Sequence, residues 1–124
     1  MEESPFKGQR GVRRLLNALR YSVQGFASAY RHEEAFRQEV ALAVFLTAAA
    51  VLLHVTGLER ALMLTSVMFV LVVELLNSAV EAAVDRVSFE NHRLAKRAKD
   101  IGSAAVFVAL ANVVMVWGAI LITG

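Results

Sequence analysis

Three long apolar runs constrain the fold of this chain more than any other feature of its sequence. They cover residues 38–56, 61–85 and 101–122. Each has the roughly 17–25 residues that a helix needs to cross a hydrocarbon layer about 30 Å thick. Because 57% of the 124 residues are hydrophobic, a water-soluble fold of this size could not bury the apolar surface. The sequence predicts an all-α membrane protein with a single domain, 1–124, and three transmembrane helices.

The Lys and Arg residues predict how the three spans are oriented. Seven precede the first run and five lie between the second and third, whereas the first hairpin carries only Arg60 and the C-terminal end carries none. Lys and Arg accumulate in cytoplasmic loops. We therefore expect the N-terminus and the second connection in the cytoplasm and the C-terminus outside. We also expect residues 57–60 to form the tight turn between the first two spans.

Residues 12–31 show a different pattern. Apolar residues from Val12 to Tyr30 recur at helical spacing on one face, and basic residues such as Arg13 and Arg20 lie mostly off that face. This pattern predicts an amphipathic helix in the cytoplasmic interface of the membrane. The alternative is a helix packed on its own protein, and the two interpretations are compatible.

Four polar residues of the second span lie on one face of the predicted helix. Glu74, Asn77, Glu81 and Asp85 fall within a sector of about 80°. An ionisable group in a membrane helix costs about 2.5–3.5 kcal/mol on insertion scales. The stripe must therefore face protein, water or a cation, although it could serve only to hydrogen-bond neighbouring helices. Glu81 lies toward the cytoplasmic end, and the deeper Glu74 is a candidate general base.

Other residues on the cytoplasmic side suggest cation and phosphate binding. Glu33 and Glu81 could each supply a ligand to Mg²⁺, which takes one or two carboxylates together with substrate phosphates. Lys99 precedes Gly102 and Ser103, which we expect at the N-terminus of the third span, where free N–H groups attract anions. Capping by Asp100 and close packing of small residues would explain the same segment without a ligand.

Three blocks of sequence resemble the prokaryotic diacylglycerol kinase family, whose members are small lipid kinases with three membrane spans. The blocks are residues 33–39, EEAFRQE; residues 74–86, ELLNSAVEAAVDR; and residues 97–106, RAKDIGSAAV. They stand in this order at matching separations. The resemblance implies an N-terminal amphipathic surface helix and three transmembrane helices per chain, assembled as a homotrimer in the bacterial inner membrane.

The resemblance also implies a reaction and its residues. The γ-phosphate of ATP, bound with Mg²⁺, is transferred at the cytoplasmic face to the free hydroxyl of diacylglycerol, giving phosphatidic acid. Glu74 matches the catalytic base, Asn77 a supporting position, and Glu33 and Glu81 the metal ligands. The matching nucleotide-binding positions are Arg14, Tyr21, Glu33, Glu81, Glu90, Asn91, His92, Lys99 and Asp100. The matching lipid-substrate positions are Arg14, Ala35, Phe36, Arg37, Gln38, Glu39, Glu74 and Ser103.

Two other functions fit parts of the sequence. A kinase of undecaprenol, within the same family, would use the same residues on a different lipid alcohol. A small proton-coupled transporter could also carry an intramembrane Glu. The stripe reaches only the cytoplasmic side, however, whereas a transporter needs access to both sides. The expected partners are ATP, a lipid alcohol, membrane lipids and other copies of the chain, and no nucleic acid is expected.

Overall fold

The computed structural model describes residues 7–87 and 92–123, with side chains over 10–86 and 92–123. Four helices fill this part of the chain: α1, Lys7–His32; α2, Glu34–Leu52; α3, Gly57–Val87; and α4, His92–Thr123. Glu33 alone separates α1 from α2, and residues 53–56 connect α2 to α3. The described residues contain no strand. The predicted all-α fold is confirmed.

Three of the helices are long and apolar enough to cross a membrane. They are α2, with 19 residues, α3 as far as Arg86, with 30, and α4, with 32. A helix of 32 residues is about 48 Å long, which exceeds a hydrocarbon core of about 30 Å. One end of α3 and one end of α4 must therefore extend into water, and the polar ends are the C-terminus of α3 and the N-terminus of α4.

The helix bounds differ from the predicted ones in two informative places. α4 begins at His92, nine residues before the expected start at residue 101, because the polar residues 92–100 continue the helix outside the apolar layer. The turn between α2 and α3 lies at residues 53–56 rather than 57–60. Thr56 caps α3 reciprocally with Glu59: Thr56 Oγ1 accepts from the Glu59 N–H at 3.1 Å, and Glu59 Oε1 accepts from the Thr56 N–H at 2.9 Å.

Packing is centred on α3, which contacts all three other helices. At the hairpin end, Ala50 of α2, Met63 and Val67 of α3 and Trp117 and Ile120 of α4 form an apolar cluster. The Trp117 indole N–H lies 3.2 Å from Ser66 Oγ and 3.3 Å from the Met63 carbonyl oxygen. The buried indole N–H therefore has acceptors on α3 and is not left unpaired. Because these acceptors lie at fixed positions on α3, the contact fixes the register between α3 and α4.

The apolar face of α1 is largely uncovered by the rest of the chain. Its apolar side chains from Val12 to Tyr30 are each more than half exposed, and Ala29 is the buried residue of the helix. This exposure favours the predicted amphipathic surface helix over a helix fully packed on its own chain. Large exposed hydrophobic residues also cover α2, α3 and α4, including Phe45, Phe69 and Phe107. A lipid-facing surface or contact with other copies accounts for them.

Arg60 provides a test of the hairpin. Its Nε donates to the Ala50 carbonyl oxygen at 2.9 Å and its Nη2 to the Leu53 carbonyl oxygen at 3.1 Å. We expect Arg60→Met to lower the free energy of unfolding in detergent micelles by about 1–3 kcal/mol, because the last carbonyls of α2 lose their donors. Leu58→Met, at an exposed position of the same hairpin, is the control and should change little. Equal stability of the two variants would contradict the capping role.

Candidate active site

Each member of the polar stripe of α3 has a neighbour on another element, and exposure of the stripe increases from buried Glu74 to exposed Asp85. Glu74 interacts electrostatically with Glu39 of α2, and Glu81 with Glu33 at the corner between α1 and α2. Asn77 meets α4 at Gly102, and Asp85 forms an ion pair with Lys99 of α4. The residues that approach the stripe come from each neighbouring element.

Glu74 lies at the deep end of the stripe and is only 5% exposed. Its carboxyl group is close enough to those of Glu39, Glu81 and Glu33 to interact with each of them. Glu39 Oε2 is buried and has no hydrogen-bond partner among the described residues. The resulting pair of carboxyl groups, Glu39 and Glu74, stands in apolar surroundings, where a hydroxyl-bearing ligand would find two acceptors.

An apolar cavity opens beside this carboxyl pair. It has a volume of about 320 Å³ and lies between α2, α3 and α4. Glu39 lines it together with aliphatic residues such as Leu42, Val70 and Val113, and Trp117 lines its far part. A cavity with one acidic residue and otherwise apolar walls suits a molecule with one polar end and a hydrocarbon tail.

Asn77 of α3 packs against Gly102 of α4. A Cβ atom added at Gly102 would lie 2.0 Å from Asn77 Oδ1, so the absence of a side chain at Gly102 is what admits the amide. Asn77 Nδ2 donates to Glu81 Oε2 at 3.5 Å. Asn77 Oδ1 is buried without a hydrogen-bond partner among the described residues. The amide thus orients the Glu81 carboxylate on one side and leaves an acceptor on the other.

Glu33 and Glu81 form the carboxyl pair nearest to the water-exposed end of the stripe. Their carboxyl groups are close enough to interact electrostatically, and Lys99 and Asp85 also lie near enough to affect Glu81. Two carboxylates this close repel each other unless a proton or a cation lies between them. No three acidic or His side chains among those described converge as a metal site by themselves. The two carboxylates suit Mg²⁺, which completes its coordination with phosphates and waters.

Lys99 supplies the positive charge at this end of the site. Its Nζ lies 2.6 Å from Asp85 Oδ1. Lys99 donates this hydrogen bond to the Asp85 carboxylate, and the interaction raises the pKa of the Lys99 ammonium. Lys99 precedes the apolar run that starts at residue 101, and its ammonium stays charged. The expected phosphate site at a helix N-terminus is wrong, because Gly102 and Ser103 lie within α4, ten residues or more after its start at His92. Their N–H groups are therefore engaged in the helix.

Other predicted nucleotide-binding residues lie near the same end of α4 and are exposed. Asp100 pairs with Lys96 at 2.7 Å on an exposed surface, and His92 is exposed at the start of the helix. Ser103, predicted to bind the lipid substrate, is exposed next to Gly102. Glu90 and Asn91 lie outside the described residues.

Arg14 and Tyr21 are not brought to the carboxyl pairs by their own chain. Both are exposed on α1, which is a continuous helix to His32. At 1.5 Å per residue, Arg14 lies about 27 Å and Tyr21 about 17 Å from the end of α1 that adjoins Glu33. Neither side chain can therefore touch the same atoms as the Glu33–Glu81 pair within one chain.

The predicted lipid-binding wall, residues 35–39, forms the first turns of α2 and has no common face. Phe36 is buried, Ala35 and Gln38 are exposed, and Glu39 lines the apolar cavity. Arg37 is half-buried and donates through Nη1 to the carbonyl oxygens of Tyr30 and Arg31. Within one chain, Glu39 is therefore the member of this segment adjacent to Glu74.

Sequence reasoning missed three contributors to the site. Gly102 was expected at a helix N-terminus and instead admits Asn77; Asp85 was placed on the stripe without its partner Lys99; and Trp117 lines the apolar cavity. Only the first has a local signal, since small residues in a membrane helix mark close helix contacts. The other two depend on the register between α3 and α4.

Comparison with known proteins gives concordant matches. The sequence profile of a family described as Prokaryotic diacylglycerol kinase matches residues 20–121. The chain is 57% identical over 122 residues to the Diacylglycerol kinase of Pseudomonas aeruginosa, covering 98% of this chain and 99% of that protein. It is 50% identical over 111 residues to the Diacylglycerol kinase of Haemophilus influenzae, covering 90% and 94%. It is 45% identical over 107 residues to the protein of that name from Escherichia coli K12, covering 86% and 88%.

Gly102 provides a test of the contact between α3 and α4. We expect Gly102→Ala to lower the free energy of unfolding by about 1–3 kcal/mol, because the new methyl group forces the Asn77 amide away. Gly118→Ala, on the same helix with no atom within 4 Å of the added Cβ, is the control and should be neutral or stabilising by up to about 1 kcal/mol. Thermal unfolding in micelles measures both. A Gly102→Ala variant as stable as Gly118→Ala would refute the contact.

Proposed function

We propose that this chain, which belongs to the prokaryotic diacylglycerol kinase family, transfers the γ-phosphate of ATP to the free hydroxyl of diacylglycerol and so forms phosphatidic acid. The observation that carries this proposal is the polar stripe of α3, which joins an apolar cavity at its deep end to a carboxyl pair and a Lys at its exposed end. A lipid substrate and a water-soluble one can meet along such a stripe.

The apolar cavity is the proposed site for the lipid. Its aliphatic walls contact the hydrocarbon, and Glu39 at its edge marks where the polar headgroup lies. The hydroxyl then lies near Glu74, whose carboxyl interacts with that of Glu39. A lipid that stays in the bilayer while its headgroup enters the site does not have to transfer its acyl chains to water, which would cost about 0.8 kcal/mol per CH₂.

Glu74 is the proposed general base. Its carboxylate takes the proton of the lipid hydroxyl as the oxygen attacks the γ-phosphorus, and the bond from that phosphorus to the β–γ bridging oxygen breaks, so that ADP leaves. Such a base contributes about 10²–10⁴-fold to the rate. Most of the remaining acceleration in phosphoryl transfer comes from alignment and charge neutralisation.

Glu33 and Glu81 are the proposed ligands of a Mg²⁺ ion bound with ATP. When bound, the ion neutralises phosphate charge and aligns the phosphates. Asn77 keeps the Glu81 carboxylate oriented through its amide. Lys99, held by Asp85 at 2.6 Å, adds a fixed positive charge near the same phosphates.

We propose a homotrimer in which neighbouring chains complete the nucleotide site. The support is geometric, because Arg14 and Tyr21 are remote from Glu33 along α1, and large apolar side chains remain exposed on all four helices. The chain would lie in the bacterial inner membrane with its N-terminus in the cytoplasm and its C-terminus in the periplasm. This orientation places Arg93, Arg97 and Lys99 at the cytoplasmic surface, as the distribution of Lys and Arg predicts.

Replacement of Glu74 tests the base assignment. We expect Glu74→Gln to lower kcat by about 10²–10⁴-fold in a micellar assay with ATP and diacylglycerol, because the amide cannot accept the proton. Glu59→Gln on the same helix keeps the capping contact with Thr56 and serves as the control with unchanged turnover. Retention of most activity by a folded Glu74→Gln protein would exclude this residue as the base.

Replacement of Glu81 tests the metal assignment. We expect Glu81→Gln to raise the Mg²⁺ concentration needed for half-maximal activity by more than about tenfold, because one ligand is lost. Glu34→Gln, an exposed position at the start of α2, should leave the Mg²⁺ titration unchanged. Superimposable titrations of Glu81→Gln and wild type would contradict the assignment.

A further inference from the structure

Glu33 forms the corner between α1 and α2, and its backbone, not its side chain, makes the hydrogen bonds to the two helices. Glu33 has extended backbone angles, φ −117° and ψ 109°, and its carboxylate makes no capping hydrogen bond to α2. Its N–H donates to the Ala29 carbonyl oxygen at 2.9 Å, and its carbonyl oxygen accepts from the Arg37 N–H at 3.2 Å. The carboxylate is thereby left to face Glu81.

The Arg37 side chain also links α2 to α1 at this corner. Its Nη1 donates to the carbonyl oxygens of Tyr30, at 2.7 Å, and Arg31, at 3.1 Å. Both belong to the last turn of α1, where carbonyl groups have no partner within the helix. A cation at a helix C-terminus also interacts favourably with the helix dipole. The first turn of α2 is thus tied to the last turn of α1 across Glu33.

We propose that Arg37 is a positioning residue for the Glu33–Glu81 metal site. It sets the angle between α1 and α2, and this angle fixes where the Glu33 carboxylate stands relative to Glu81. In this role Arg37 acts through the position of Glu33 and not as a ligand of the metal. This inference rests on the proposed function, in which Glu33 and Glu81 bind the metal.

The packing of α1 explains why a single side chain can have this effect. Ala29, near the C-terminus of α1, is buried, and the apolar face of the helix is otherwise exposed to its surroundings. Within the chain, α1 is therefore anchored near its C-terminal end, close to Arg37 and to the buried Phe36 of α2. Without the two hydrogen bonds, α1 can pivot about this anchor and carry the backbone of Glu33 with it.

The positioning role differs measurably from the lipid-binding role that the family resemblance implies for Arg37. A lipid contact would affect the KM for the lipid and leave metal affinity intact. A positioning residue affects metal affinity even when no lipid is present. Losing an interaction that orients a metal ligand typically weakens metal binding by about 10–100-fold.

The test measures Mn²⁺ binding by electron paramagnetic resonance on the full chain in micelles, with a non-hydrolysable ATP analogue and no lipid substrate. Arg37→Met keeps the length of the side chain and removes its donors, and we expect it to weaken Mn²⁺ binding by about 10–100-fold. Arg37→Lys restores one donor and should weaken binding by a smaller factor. Arg31→Met removes the same charge at an exposed position of the same corner and should bind Mn²⁺ as wild type does.

Each outcome separates this inference from the proposed function. Mn²⁺ binding that falls in Glu33→Gln and Glu81→Gln but not in Arg37→Met would overturn the inference and leave the metal site standing. Binding that neither Glu substitution changes would overturn the metal site and the inference together. An equal loss in Arg31→Met and Arg37→Met would show a general effect of charge and refute positioning. If Arg37→Met does not fold, wild-type affinity in Arg37→Lys would be the contradicting result.

Discussion

Ionisable side chains cannot face the hydrocarbon of a bilayer without a large free-energy cost, and the polar face of α3 has Glu74, which is buried, at its deep end. The rest of the fold follows from covering that face. Glu39 and Glu33 approach it from α2 and from the corner before it, and Gly102 and Lys99 approach it from α4. The contacts that make α3 compatible with a membrane are therefore the same contacts that assemble the candidate site.

Because α3 is long, its polar face extends from the apolar layer of the membrane toward water. From Gly57 to Glu74 the helix rises about 26 Å, so Glu74 lies near the inner boundary of a hydrocarbon layer about 30 Å thick if the hairpin marks the outer one. Glu81 and Asp85 lie about 10 Å and 16 Å further along. Exposure follows this order, from buried Glu74 to exposed Asp85. In the proposed reaction, the lipid hydroxyl and the nucleotide would therefore reach residues of one helix face without either substrate changing its medium.

The sequence predicted the features that have a local period and missed those that depend on two segments. The spans and the stripe follow from apolar run length and from helical spacing, and Thr56 with Glu59 carries a capping signature that could have been recognised. Hydropathy could not show that α4 begins at His92, because the polar residues 92–100 are helical outside the apolar layer. The contacts of Asn77 with Gly102 and of Arg37 with Tyr30 depend on helix register and on the bend at Glu33. Residue spacing within a single segment predicts neither the register between two helices nor the bend at Glu33.

In the proposed function, the stripe of α3 serves phosphoryl transfer to a membrane lipid. The most direct measurement offers the purified protein radiolabelled ATP and Mg²⁺ in mixed micelles that contain diacylglycerol and undecaprenol together, and then separates the lipid products. We expect the label in phosphatidic acid. Label in undecaprenyl phosphate alone would keep the mechanism and contradict the substrate, whereas no labelled lipid from a folded protein would contradict the account as a whole.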